Sequence, residues 1–224
     1  MENSFQKLQD AEAKAAILFN EIEKRNIIKP FETEASINDA IFDLAHELFG
    51  IQKYWHKRIV RAGENTLHPY DENPPNLTLQ PDDILFLDFG PIFEDWEADF
   101  GRTYVLGNDP DKHRLKADVE TSWYEIKTWF DAQKNISGAE LYAYVQQKAT
   151  DKGWELGGEI AGHLSGHFPH EKLPKGQKHL YIHPENFNDL RDLDAKGQPR
   201  HWILEIHFID ADKKIGGFFE QLFF

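Results

Sequence analysis

Ile84-Leu85-Phe86-Leu87-Asp88-Phe89-Gly90 and, a few residues on, Glu97-Ala98-Asp99-Phe100-Gly101-Arg102-Thr103 set carboxylates into apolar strand-forming runs. In an extended chain successive side chains alternate between two faces, so Ile84, Phe86 and Asp88 share one face. Gly90-Pro91 ends the first strand, and the spacing predicts a second strand over 98–106 with the turn of a hairpin at 92–97. Asp88 and Asp99 then meet across that hairpin, and two like charges repel there unless a cation or proton lies between them. On this pair alone, two turn-flanking aspartates are the simpler explanation.

Two later strands change the balance. In 202–209, Trp202, Leu204, Ile206 and Phe208 form one face and Ile203, Glu205 and His207 the other. Glu205 sits in an apolar run, as does Glu220 between Phe218-Phe219 and Leu222-Phe223-Phe224. A buried, unpartnered carboxylate costs several kcal/mol. Arg102 is one candidate ion-pair partner for Glu205. The alternative partner is a metal ion. Gly162-His163-Leu164-Ser165-Gly166-His167-Phe168-Pro169-His170-Glu171 supplies imidazoles. His163 and His167 have the i,i+4 spacing of a helical pair, but the glycines and Pro169 oppose a helix and favour an extended segment.

The remaining chain frames these blocks. Leu8, Ala11, Ala15, Leu18 and Ile22 recur at helical spacing and predict an amphipathic helix over 4–26. A second helix is expected to begin at Ser36 as its cap and stop at Gly50, with Ile37, Ile41, Leu44 and Leu48 on its apolar face. Prolines make 63–83 a loop. Helices are expected over 112–134 and 138–152, a long loop over 172–200, and a last strand over 215–223. Helices mixed with antiparallel hairpins, and no linker-like segment, predict one α+β domain over residues 1–224.

Composition narrows the chemistry. The 224 residues include no Cys, which excludes disulfides, thiolate-bound zinc, iron–sulfur clusters and a thiol nucleophile. A net charge of −14 argues against nucleic-acid and anionic-membrane partners. No basic segment leads into an apolar leader, and no apolar run approaches the ~20 residues of a membrane span, so a cytoplasmic location is expected. What remains is a site of carboxylate and imidazole, suited to Mn, Fe(II), Co or Zn. Four carboxylates exceed the need of one ion and point to two divalent metal ions, the arrangement used in two-metal hydrolysis.

These blocks resemble the Asp-x-Gly … Asp-x-x-Arg-Thr, Gly-His … His-Glu and two-Glu signatures of the pita-bread metallopeptidases. That family includes methionine aminopeptidase, aminopeptidase P and prolidase. Arg61-Ala62-Gly63-Glu64-Asn65 … His68 resembles the aminopeptidase P and prolidase version of the segment, where methionine aminopeptidase carries Cys. The resemblance implies a pita-bread fold: an antiparallel sheet with flanking helices. It implies that Asp88 binds a first metal, that Asp99 and Glu220 bridge two, and that His163 and Glu205 complete the second. It further implies Glu205 as a general base, with His68 and His170 hydrogen-bonding the substrate. The expected activity is cleavage of an N-terminal peptide bond, of Xaa-Pro type, with Mn favoured.

Three positions depart from the pattern: Leu164 follows His163, Ile206-His207 follow Glu205, and Phe218 stands where the family often has Arg. His167 and His207 are additional candidates for lining the pocket, as are Trp55 and Trp96. A metal-dependent hydrolase or lyase acting on a small non-peptide substrate and a non-catalytic peptide-binding module are the alternative functions. The partner expected is a peptide or small-molecule substrate, and a homodimer is allowed.

Overall fold

The computed structural model describes residues 4–167 and 177–224. The order of elements is α1 (Ser4–Lys24), α2 (Glu34–Phe49), β1 (Ile59–Ala62), β2 (Ile84–Phe89), β3 (Ile92–Phe93), β4 (Trp96–Glu97), β5 (Phe100–Val105), α3 (Pro110–Asp131), α4 (Gly138–Asp151), β6 (Glu155–Leu156), β7 (Gly162–Ser165), β8 (His201–Asp210) and β9 (Ile215–Leu222). The main sheet is antiparallel and runs β1-β2-β5-β9-β8, with β6 and β7 both pairing on the far side of β8. The fold is α+β.

Local chemistry sets the helix ends. Asp109 caps α3, accepting from the Asp111 and Lys112 amides, with Pro110 at the first turn. Ser137 and Glu140 form a capping box at α4. At α2 the cap is Thr33, three residues before the expected Ser36. Ser36 takes the other half of the box, its hydroxyl accepting from the Thr33 amide. Gly50, at φ +67°, closes α2 in the left-handed region. The expected hairpin turn at 92–97 is itself a small two-stranded ribbon, β3 with β4.

Strand alternation divides the sheet into a covered and an uncovered face. On β2, Leu85, Leu87 and Phe89 point into a core with Ala15, Leu18, Ile22, Ile37 and Ile41 of α1 and α2. On β8, Trp202, Leu204, Ile206 and Phe208 pack with Leu115, Val119, Trp123 and Ile126 of α3 and Val145 of α4. Trp202 and Trp123 satisfy their indole N–H groups at 2.9 Å on the carbonyls of Leu190 and Leu204. On the other face, opposite one another across β2, β5, β9 and β8, lie Asp88, Gly101, Glu220 and Glu205.

Candidate metal centre

Pairing registers place the acidic residues in a row. Asp88 lies opposite Gly101, Gly101 opposite Glu220, and Glu220 opposite Glu205, across β2, β5, β9 and β8. Asp99 precedes Gly101 by two and shares its face. Gly101 is the small member by necessity, since a Cβ there would lie 2.4 Å from the Phe218 ring and 3.0 Å from the Glu220 Cβ. His163 enters from β7, opposite Ile203. The glycine before it is equally required: Gly162 has φ +138°, and a Cβ would sit 2.1 Å from the Ile203 carbonyl oxygen.

Arg102 and Thr103 hold this row together where the β5–β9 ladder is short. The Thr103 hydroxyl donates to the Phe218 carbonyl (2.8 Å) and accepts from its amide (2.7 Å). The Arg102 guanidinium donates to the carbonyls of Gly101 (2.7 Å) and Glu220 (2.8 Å) and lies between the Phe100 and Phe219 rings. Arg102 therefore stitches the backbone and is not the ion-pair partner of Glu205.

Four of the five expected ligands, Asp88, Asp99, His163 and Glu220, bring ligand atoms close together. His163 Nε2 is 3.0 Å from Asp99 Oδ2 and 3.9 Å from Glu220 Oε1. The fifth, Glu205, lies directly opposite Glu220 in the β8–β9 register. Asp88, Asp99, His163 and Glu220 are buried, and Glu205 is partly exposed. Among the described residues, Asp88 Oδ1 and Glu220 Oε2 are buried oxygens with no hydrogen-bond donor.

A group missed by the sequence reading joins them. His56 Nε2 is 3.1 Å from Asp99 Oδ1 and 3.4 Å from Asp88 Oδ1, and its side chain is only 6% exposed. The segment carrying it runs beside the end of β2: the Trp55 amide donates to Gly90 (3.0 Å), and the Ile92 amide to Lys53 (3.3 Å). Trp55 contributes its indole N–H to the Ala98 carbonyl (3.1 Å), and its ring lies 5.1 Å from that of His163. Nothing in local periodicity marked 51–62 as strand-like, so no register could be assigned to His56.

Charge balance makes this a candidate cation site. Burial works against the charges of His56 and His163, but Asp88 and Asp99 outweigh it at His56, and Asp99 and Glu205 at His163, raising both imidazoles to about 9. Burial also pushes Asp99 upward, yet the two imidazoles prevail and hold its carboxyl low. Burial, added to by neighbouring carboxylates, pushes Asp88, Glu205 and Glu220 upward, Glu220 well above the usual range. Four carboxylates against two imidazolium ions leave an excess of negative charge that only protons or metal ions can balance. Two overlapping sets of side chains bring ligand atoms close enough for one ion each: His56, Asp88 and Asp99, and Asp99, His163 and Glu220. The all-oxygen-and-nitrogen donors, with two buried oxygens among them that accept no hydrogen bond, fit divalent ions.

The other expected site residues are placed as follows. His68 caps the short 3-10 helix Gly63–Leu67, with its ring paired to the Glu72 carboxylate. Arg61, buried, pins that loop by donating to the carbonyls of His68, Pro69 (2.7 Å) and Glu72 (2.8 Å). Tyr70 of the same loop packs 5.8 Å from the His56 ring. His207 does share the uncovered face, but its Nε2 is bound to the Thr66 carbonyl (2.8 Å) between Phe86 and Phe218. Burial lowers it to about 4, so it is a neutral packing group. His167 is exposed and stacks edge-on to Trp96 at 5.2 Å. His170 lies outside the described residues.

The geometry defines a buried carboxylate and imidazole cluster on an antiparallel sheet, and comparison with known proteins places it in a class. The model of metallopeptidase family M24 matches residues 6–195, and the chain belongs to that family, whose members depend on metal. Its fold is that of the pita-bread metallopeptidases. The Xaa-Pro dipeptidase of Lactobacillus delbrueckii subsp. lactis is 25% identical over 138 residues, which are 61% of this chain and 34% of the relative. The chain thus matches about a third of that curated relative's length. Among solved structures, X-Pro aminopeptidase from Thermotoga maritima MSB8 superposes with a TM-score of 0.75 at 18% identity, covering 98% of this chain and 57% of that one. Methionine aminopeptidase from Thermotoga maritima gives 0.73 at 15% identity, covering 99% and 92%. No described helix is long and apolar enough to cross a membrane.

Proposed function

We propose that this chain is a two-metal peptidase that hydrolyses an N-terminal peptide bond, with preference for Xaa-Pro substrates. The observation that carries the proposal is one cluster holding Asp88, Asp99, His163 and Glu220, with Glu205 opposite Glu220, in which the carboxylates outnumber the imidazoles. Asp88 would hold one ion and His163 with Glu205 the second, with Asp99 and Glu220 the residues that would serve both. Two divalent ions bound here supply a water of lowered pKa and polarise the scissile carbonyl. The carboxylate-rich donor set favours Mn among the candidate ions.

Glu205 is the proposed proton acceptor. It is the least enclosed of the carboxylates, and its proton affinity is already raised by burial. His68, on the loop that Arg61 pins, and His170 are the proposed hydrogen-bond donors to the substrate carbonyl as negative charge develops on it. The Xaa-Pro preference is drawn from the Arg61-to-His68 segment, which lacks Cys, and from the likeness to an Xaa-Pro dipeptidase.

Phe218 and His207 leave an apolar, uncharged layer beside the carboxylates, which favours a second reading: a small non-peptide substrate on the same centre. The deciding experiment is turnover after separate reconstitution with Mn, Co, Fe(II) and Zn. The expected result is cleavage of Xaa-Pro dipeptides and longer Xaa-Pro peptides. Turnover of small amides or ureas with no peptide cleavage would replace this proposal with the second reading. Full metal loading with no turnover of any of them would leave a binding module.

A further inference from the structure

We propose that His56 is a sixth protein ligand of the metal centre, completing the Asp88 side as His163 completes the other. The inference rests on the two-ion reading of the cluster and extends its ligand set to a residue outside the five.

The two imidazoles are built alike. His163 Nδ1 lies 2.8 Å from the carbonyl oxygen of Leu164, the next residue, and His56 Nδ1 lies 2.7 Å from that of Lys57, also the next residue. A carbonyl only accepts, so both Nδ1 atoms carry the proton. That bond fixes ring orientation and leaves Nε2 as the free ligand atom, the arrangement usual for metal-binding histidines. Both Nε2 atoms point at carboxylates. Asp99 divides itself between them: its Oδ1 is 3.1 Å from His56 and its Oδ2 is 3.0 Å from His163. Each oxygen of one carboxylate thus faces its own imidazole, and each imidazole has a second carboxylate beside it. For His56 this is Asp88 at 3.4 Å, and for His163 it is Glu220 at 3.9 Å.

The backbone around His56 is shaped to keep the ring there. A Cβ on Gly90 would lie 2.3 Å from His56 Cδ2 and 2.3 Å from Trp55 Nε1, so only glycine at that position admits both rings. Tyr70 covers the outer side of the imidazole. A surface histidine that had merely found an acidic neighbour would need neither the glycine nor the carbonyl lock.

The test is metal binding to wild type, His56→Gln and His56→Ala, followed by calorimetry and by the visible spectrum of the Co(II)-loaded proteins. Wild type is expected to bind about two ions. Each variant is expected to weaken one of them at least tenfold, the lower end of what loss of even an outer-shell partner costs, with the other ion unchanged. X-ray absorption on the Zn-loaded wild type needs no variant to fold, and it is expected to show about one imidazole per ion. Two ions bound by wild type with unchanged affinity and spectrum in His56→Gln, or about one imidazole shared over two zinc ions, would overturn the assignment of His56 alone. Uptake of fewer than two ions by wild type would overturn the two-ion reading and this assignment with it.

Discussion

The two faces of the same strands behave as different materials. On β8 the side of Trp202, Leu204, Ile206 and Phe208 is fully buried against α3 and α4, whereas the side of Glu205 and His207 meets carboxylates, imidazole and aromatic rings. On β2 the divide falls between Leu85, Leu87 and Phe89 and the pair Phe86 and Asp88. Most of the core lies on one parity of residues and the chemistry on the other, where Ile203 and Leu222 still pack on Leu8 of α1. A register slip of one residue would exchange them. The covered face gains free energy when the chain folds. The uncovered face, without metal, carries buried carboxylates whose charge folding must either neutralise or tolerate.

That contrast breaks most visibly under substitution on the covered face. Trp202→Ala removes a fully buried indole and its hydrogen bond to Leu190. It should cost about 3–5 kcal/mol in denaturant unfolding, equally with and without metal. A loss confined to the metal-loaded protein would show that the two faces are not separate.

The opposite sign is expected on the uncovered face. Glu220 has an orphan buried oxygen, and burial raises its proton affinity. A carboxyl raised in the folded state contributes stability below its unfolded pKa and loses it as pH rises. Glu220→Gln should therefore stabilise the metal-free protein at pH 8, by on the order of 1–3 kcal/mol, with little change at pH 4. With metal present it should destabilise, through loss of a ligand. Unfolding curves at the two pH values, with and without EDTA, check both signs. Destabilisation of the metal-free protein at pH 8 would show that Glu220 supports the fold directly.

A smaller effect sharpens the boundary between the faces. Glu12 of α1 accepts from the Leu222 amide at the end of β9, and burial outweighs that bond, raising it to about 7. Its contribution should fade between about pH 4.5 and 7, and Glu12→Gln, whose amide oxygen can still accept, should flatten the pH dependence of Tm over that window. An unchanged profile would place the titration elsewhere.

Much of this division was legible in the sequence because period-two alternation needs no tertiary information. It separated Leu204 from Glu205 and Leu87 from Asp88. The helix expected over 138–152 is α4, opened by the Ser137 capping box. The short strands β1, β6 and β7 carried no such signal, since two to four residues show no period. His56 was hidden with them. Its role depends on segment 53–56 lying against 90–92, a pairing set by tertiary contact. Thr33 rather than Ser36 caps α2 because the two residues share one box, and composition does not say which hydroxyl leads. His68 illustrates the converse: a motif match located the loop, while its ring is oriented by Glu72.

The net charge of −14 takes on a second meaning. Asp88, Asp99, Glu205 and Glu220 contribute four of those charges to one cluster, and two divalent ions would balance them. Asp99 belongs to both candidate ligand groups and is one of the two residues that both ions would share, so the direct measurement is the metal content of wild type and Asp99→Asn, each purified without chelator and equilibrated with Mn. About two ions per wild-type chain and almost none in Asp99→Asn is the predicted result. Folded wild-type protein that takes up no divalent ion, or Asp99→Asn that retains the wild-type content, would contradict it.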